Sequence, residues 1–193
     1  RVSSLGYFAK RESLNIIVME QIAKDRLVEI YGLNESTISV IPHGVPDTQR
    51  IDRDKARKKL KLDESFTLLI SNLISSNKGI EYAIGAIPAV VKKVPNVKLL
   101  IVGETHPVVK LHDGEVYREE LERLVKILNI EKNVTFINDY VSLDQLKQYL
   151  AAADVCITPY LDPQQITSGT LSYAVGAGKA SISTPYIYAK NIL

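Results

Sequence analysis

Two short stretches of this chain carry groups suited to holding an anion. The first, Ser71-Asn72-Leu73-Ile74-Ser75-Ser76-Asn77-Lys78-Gly79, follows an apolar run and precedes a stretch of helical period. There Lys78 sets a point charge beside the free N–H groups of a helix start, a natural place for phosphate oxygens. The competing account is a surface lysine in a polar turn. The second stretch, Gln165-Ile166-Thr167-Ser168-Gly169-Thr170, leads into another helix. Hydroxyl groups and a glycine at such a position offer several N–H and O–H donors. Capping by Thr167 or Ser168 would need only one of them, whereas Gly169 also lets a ligand approach the backbone closely.

Other residues carry weaker signals. Gly103 ends a strand and opens the long insertion ETHPVVKLHDGE, expected to be a flexible loop. His106 and His112 lie in it without a third ligand at a zinc-like spacing, so no metal site is expected. His43, between Pro42 and Gly44, fits a turn. Asp52-Arg53-Asp54 matches an Asp-x-Asp metal pattern by letters only, among seven basic residues from Arg50 to Lys61. Asp52 is better placed to cap the short basic helix that follows. The basic run Lys55, Arg57, Lys58, Lys59 and Lys61 fits a solvated face. The only cysteine, Cys156, lies in an apolar run and fits a buried structural thiol.

The elements that must position these groups follow from the hydrophobic pattern. Strands are expected at 15–18, 38–41, 67–71, 97–102, 134–137, 155–158 and 181–184. Helices are expected at 21–31, ended by Gly32, and at 53–60, 80–94, 115–128, 143–153 and 169–178. Apolar strands alternating with helices predict an α/β fold with a Rossmann-like, doubly wound parallel sheet. In such sheets ligands bind beyond the carboxyl ends of the strands, at 72–79, 103–113, 138–142 and 159–168.

The composition narrows the partners. The 193 residues carry 24 basic and 22 acidic side chains, a net charge of +2 that gives no reason to expect nucleic acid or an anionic membrane. No run of about eighteen apolar residues is present, so no transmembrane segment is expected. A lone thiol fits a reducing cytoplasm. The chain begins inside a helix-like stretch and stops within an amphipathic one, as an excised fragment would. Residues 1–35 are expected to be an arm or linker from a preceding domain, and 36–193 the main Rossmann-like domain, truncated at its C-terminal end.

Several segments, in order, resemble the C-terminal domain of the family-4, group 1 retaining glycosyltransferases of the GT-B fold. Val40-Ile41-Pro42-His43-Gly44-Val45 is similar to that family's V-I-P-N-G-V. Asn77-Lys78-Gly79 matches its N-K-G, and Leu99-Leu100-Ile101-Val102-Gly103 its strand ending in glycine. Asn133-Val134-Thr135-Phe136 resembles N-V-x-F, and Ala152-Ala153-Asp154-Val155 with Thr158-Pro159 resembles A-D-V-x-x-x-P-S.

The resemblance implies roles. Lys78 would contact the donor pyrophosphate. The amides of Thr167, Ser168 and Gly169, with Thr170 beside them, would hold the phosphate and sugar. Asn138, Tyr140 and Val141 would meet the base, near Gly103. The arginine that often precedes the lysine by five residues is here Leu73. Two family glutamates fall on Gln165 and Tyr173, where they would meet sugar hydroxyls and ribose; neither replacement is charged. Lys78 and Gln165 are the catalytic candidates. The donor would be a nucleotide-diphosphate sugar, with no metal and no other cofactor, and the acceptor would sit on a missing N-terminal domain. This piece alone would then be inactive. Another GT-B sugar-nucleotide enzyme, such as an epimerase, and a non-catalytic nucleotide-binding domain are the alternatives.

Overall fold

The computed structural model describes residues 15–45 and 51–193. The helix-like start expected of the chain lies outside them. Strand β1 (Ile16–Val18), helix α1 (Gln21–Tyr31) and strand β2 (Ile38–Val40) come first, and β1 pairs with β2 in parallel. Gly32 ends α1 as expected, in the left-handed region at φ 64°, with its N–H donating to Val28 O.

The rest is built on one parallel sheet. In chain order its strands are β3 (Phe66–Ser71), β4 (Val97–Val102), β5 (Val134–Ile137), β6 (Val155–Thr158) and β7 (Ala180–Ser183). Their spatial order is β5-β4-β3-β6-β7, so the chain reverses its direction of travel across the sheet between β3 and β6. The helices are α2 (Arg53–Lys59), α3 (Ile80–Val91), α4 (Pro107–Asp113), α5 (Val116–Ile127), α6 (Leu143–Ala152), α7 (Gly169–Gly176) and α8 (Ile187–Ile192). The side-chain period of two splits the core. Ile70, Leu99 and Ile101 pack with Ile80, Ile84 and Ile87 of α3 and Leu121 of α5. Leu69, Leu100 and Cys156, facing the other way, pack with Leu150 of α6 and Ala174 of α7. Helices on both faces of a parallel sheet make the expected doubly wound fold.

The structure corrects three expectations. Residues 107–113 are a helix, not a loop: Pro107 occupies its first turn and His106 Nδ1 accepts from Val108 N–H. Helix α3 stops at Val91 rather than Val94, because Pro95 disfavours helical backbone at the residue before it. The basic run of α2 is not all solvated. Lys55, Lys58 and Lys59 are exposed, but Arg57 is 2% exposed. Its guanidinium donates to the carbonyls of Asp63, Ser65 and Ala152, which ties α2 to the start of β3 and the end of α6. Asp52 caps α2, its carboxylate accepting from Lys55 N–H at 2.8 Å.

Candidate active site

All five strands point their carboxyl ends to one edge, and there the chain brings distant residues together. The β3 loop meets the β6 loop directly. Leu161 N–H donates to Asn77 O at 3.0 Å. Gly79 adopts φ 62°, and a Cβ there would fall 2.2 Å from Pro159 O, so only glycine permits this approach. Lys78 is thereby held with its ammonium 4.2 Å from the centre of the Tyr160 ring. It makes no salt bridge among the described residues, and burial pushes its pKa below the usual lysine value. The competing account of a lysine in an open polar turn does not fit this packing: Lys78 is half-buried and rests on an aromatic face.

Tyr160 joins this lysine to the start of α7. Its ring is buried and stacks on Tyr186 at 5.2 Å, and burial raises its pKa. Its hydroxyl donates to Asn72 Oδ1 at 2.6 Å. Thr170 Oγ1, on the first turn of α7, lies 3.2 Å from the same oxygen and 3.0 Å from the carbonyl of Ser71. Ser168, 4% exposed, caps α7 by accepting from Leu171 N–H at 3.2 Å. The capping account of Ser168 is therefore correct for its side chain. Its hydroxyl is committed to the helix, and Gly169 begins the helix beside it.

A cavity of about 140 Å³ opens at the same edge, lined by Ser71, Asn72, Gly103, Tyr140 and Val141 among others. Its wall is set by a close crossing. Gly103 has φ 139°, and a Cβ there would fall 1.8 Å from Asn72 O. The Gly103 carbonyl accepts from Arg118 Nη2 at 2.6 Å, and Arg118 is buried with its Nε 3.4 Å from Thr105 Oγ1. Glu115 accepts from Thr105 and pairs with Lys110 and Arg118, so its carboxyl titrates below the usual range, chiefly through the Thr105 hydrogen bond.

Of the residues singled out in the sequence, Lys78, Ser168, Gly169 and Thr170 share one cluster, while Gly103, Tyr140 and Val141 share the adjoining cavity. Asn138 is exposed and does not line it. Gln165 turns its amide onto the Thr167 carbonyl at 2.8 Å, which engages both residues within their own loop. Tyr173 packs into the core on one side and meets the His43 ring edge-on, 5.6 Å between centroids. His43 also lies against α7: a Cβ on Gly169 would fall 3.0 Å from its Nε2. Sequence reasoning missed Tyr160 and Asn72 and saw His43 only as a turn residue. The one available signal was that Tyr160 and Asn72 lie in loops expected at the ligand edge.

The fold and this edge define a doubly wound α/β domain with an anion-suited crevice where the strand order reverses. The family model of glycosyl transferases group 1 matches residues 65–192, and the chain belongs to that family. An uncharacterized glycosyltransferase of Methanocaldococcus jannaschii is 27% identical over 166 residues, covering 82% of this chain and 39% of the relative. A GDP-mannose-dependent alpha-(1-6)-phosphatidylinositol monomannoside mannosyltransferase of Mycobacterium tuberculosis is 27% identical over 149 residues, covering 75% of this chain and 35% of the relative. The chain thus spans less than two-fifths of the length of these curated relatives. Among solved structures, Anabaena HepE in complex with UDP and glucose superposes with a TM-score of 0.76 at 19% identity, over 100% of this chain and 50% of that one. WaaG, a glycosyltransferase involved in lipopolysaccharide biosynthesis, gives 0.72 at 20% identity, over 95% and 48%. The fold is the one seen in GT-B glycosyltransferase structures. Among the described residues, no helix is long and apolar enough to cross a membrane.

Proposed function

We propose that this chain is the donor-binding, C-terminal domain of a retaining GT-B glycosyltransferase and binds a nucleotide-diphosphate sugar in the crevice at the carboxyl edge. The carrying observation is Lys78, a half-buried ammonium with no carboxylate partner among the described residues, joined through Tyr160 and Asn72 to the start of α7. An unpaired cation beside the positive end of a helix is the arrangement that a bound diphosphate completes. The neighbouring cavity fits the nucleoside, with Gly103, Tyr140 and Val141 around it. The bound uridine nucleotide of HepE and the GDP-mannose dependence of the mycobacterial relative support the ligand class.

In transfer, negative charge grows on the leaving diphosphate as its bond to the anomeric carbon breaks. Donors already aimed at that charge lower the barrier, on the order of 3 kcal/mol for one well-placed donor. Lys78 and the first N–H groups of α7 fill that role in this proposal without a metal ion. Gln165 is assigned to the sugar hydroxyls, which it reaches by releasing the Thr167 carbonyl. A facing domain would supply the acceptor, and without it this piece would not turn over.

The test is release of free nucleotide by the full-length protein, screened against uridine-, guanosine- and adenosine-diphosphate sugars with and without a chelator. One donor consumed, with the anomeric configuration kept in the product, is the expected result. Inversion, or a strict metal requirement, would overturn the corresponding part of the proposal.

A further inference from the structure

The ammonium of Lys78 ends a flexible stem, and among the described residues it makes no salt bridge that would fix its position. What it rests on is the ring of Tyr160, 4.2 Å from Nζ to the ring centre. That ring is held independently of the lysine. It is 3% exposed and stacks on Tyr186, with centroids 5.2 Å apart and planes 19° apart. Its hydroxyl lies 2.6 Å from Asn72 Oδ1, which also meets Thr170 Oγ1, on the first turn of α7, at 3.2 Å. The backbone beside the ring is tied down as well. The Tyr160 carbonyl accepts from Thr184 Oγ1 at 2.6 Å, and Leu161 N–H donates to the carbonyl of Asn77, next to Lys78. An aromatic face attracts a cation but, unlike a carboxylate, does not neutralise it. The contact therefore places the charge and leaves it available to an anion.

We infer that Tyr160 is a positioning residue of the donor site, its ring setting the Lys78 ammonium where the diphosphate of a nucleotide sugar binds. This rests on the donor-site function proposed above. Tyr160 acts through the lysine, without itself touching the ligand. Placing the ammonium before the ligand arrives lowers the ordering cost of binding, which a free lysine would meet in full. The lysine uses the electron-rich face of the ring and not the hydroxyl. Phenylalanine at this position therefore keeps the function, an aliphatic side chain loses it, and a ring of the same shape with its π-face drained of charge weakens it.

The experiment is calorimetric titration of the purified protein with UDP, GDP and ADP and with the matching nucleosides, with thermal unfolding of each variant. The variants are Tyr160→Phe, the same substitution with a ring-fluorinated phenylalanine, Tyr160→Leu, Lys78→Ala, and Tyr160→Leu combined with Lys78→Ala. Tyr160→Leu is expected to weaken binding of the preferred diphosphate by about threefold to tenfold, with nucleoside affinity nearly unchanged. Tyr160→Phe should retain most of the affinity, and fluorination should lower it again. In the Lys78→Ala background Tyr160→Leu should add no further loss, because the ammonium through which it acts is gone. The fluorinated ring keeps the test usable if Tyr160→Leu fails to fold. If the unsubstituted protein binds no nucleoside diphosphate, or Lys78→Ala binds it normally, the donor-site function itself fails. If Lys78→Ala weakens binding while the leucine and fluorinated variants bind normally, the role of Tyr160 alone is overturned. It is overturned equally if Tyr160→Leu weakens nucleoside and diphosphate alike, or weakens the diphosphate as much without Lys78 as with it.

Discussion

The ammonium of Lys78 sits 4.2 Å above the ring of Tyr160, a residue from the far side of the point where the strand order reverses. The contact holds the cation over a negative π-face, and among the described residues the ammonium makes no salt bridge. Lys78→Ala is expected to weaken nucleoside diphosphate binding by about 1.5–3 kcal/mol, the range for a charged hydrogen bond, and to leave nucleoside binding alone. It should also lower stability by about 0.5–1 kcal/mol through loss of the ring contact. Titration with both ligands and a denaturant melt separate the two effects.

The depressed pKa of Lys78 predicts a pH dependence of fixed sign. A bound diphosphate favours the ammonium and raises that pKa again, so binding takes up a proton when the pH lies between the free and bound values. Affinity is then flat below the free-state pKa and falls as pH rises through it. Stability without ligand runs the other way: the unfolded chain holds the proton more tightly, so stability rises with pH between the folded pKa and the ordinary value of 10.5. Calorimetry in alkaline buffers of different ionisation enthalpy should detect proton uptake, and Lys78→Ala should abolish it.

Gly103 at φ 139°, with no room for a Cβ beside Asn72 O, predicts a large effect of a small change. Gly103→Ala is expected to cost at least about 2 kcal/mol. For a chain of this size that is about 4 °C or more in melting temperature. Because the cavity wall must shift, nucleoside and diphosphate binding should weaken together, unlike the pattern for Lys78→Ala.

Arg57 is a structural prediction away from the crevice. Its guanidinium satisfies three carbonyls and lies 3.8 Å from a carboxylate oxygen of Asp154. Arg57→Ala should therefore destabilise by about 3 kcal/mol, since it leaves buried acceptors unpaired. Arg57→Lys should recover only part of this, because one ammonium cannot meet the spread of carbonyls that the planar fork spans. Chemical denaturation midpoints of the two variants provide the check.

Local pattern alone determined most of the framework. The strands at 97–102, 134–137 and 155–158 fall where expected, and the clearest of them, Leu99–Val102, is an uninterrupted apolar run because both of its faces are buried. The stop at Gly32 and the caps at Asp52 and Ser168 were also legible, since each acts within a few residues of itself. Parallel strands then put the loops after β3, β4, β5 and β6 at one edge, and four of the candidate residues met there in one cluster. Helix α4 was missed because seven residues are too few to show a helical period. Its signal was only Pro107 and the cap at His106.

The remaining features depended on tertiary structure. The burial of Arg57 rests on a carbonyl 95 residues away, so no local pattern distinguishes it from the exposed lysines beside it. Asn72 meets Tyr160 and Thr170 across 88 and 98 residues, a juxtaposition that no local pattern contains. Sequence type says which side chains can bond an anion. Whether their bonds are already used, as for Ser168 and Gln165, or left without a salt bridge among the described residues, as for Lys78, is decided by which neighbours the fold brings within reach.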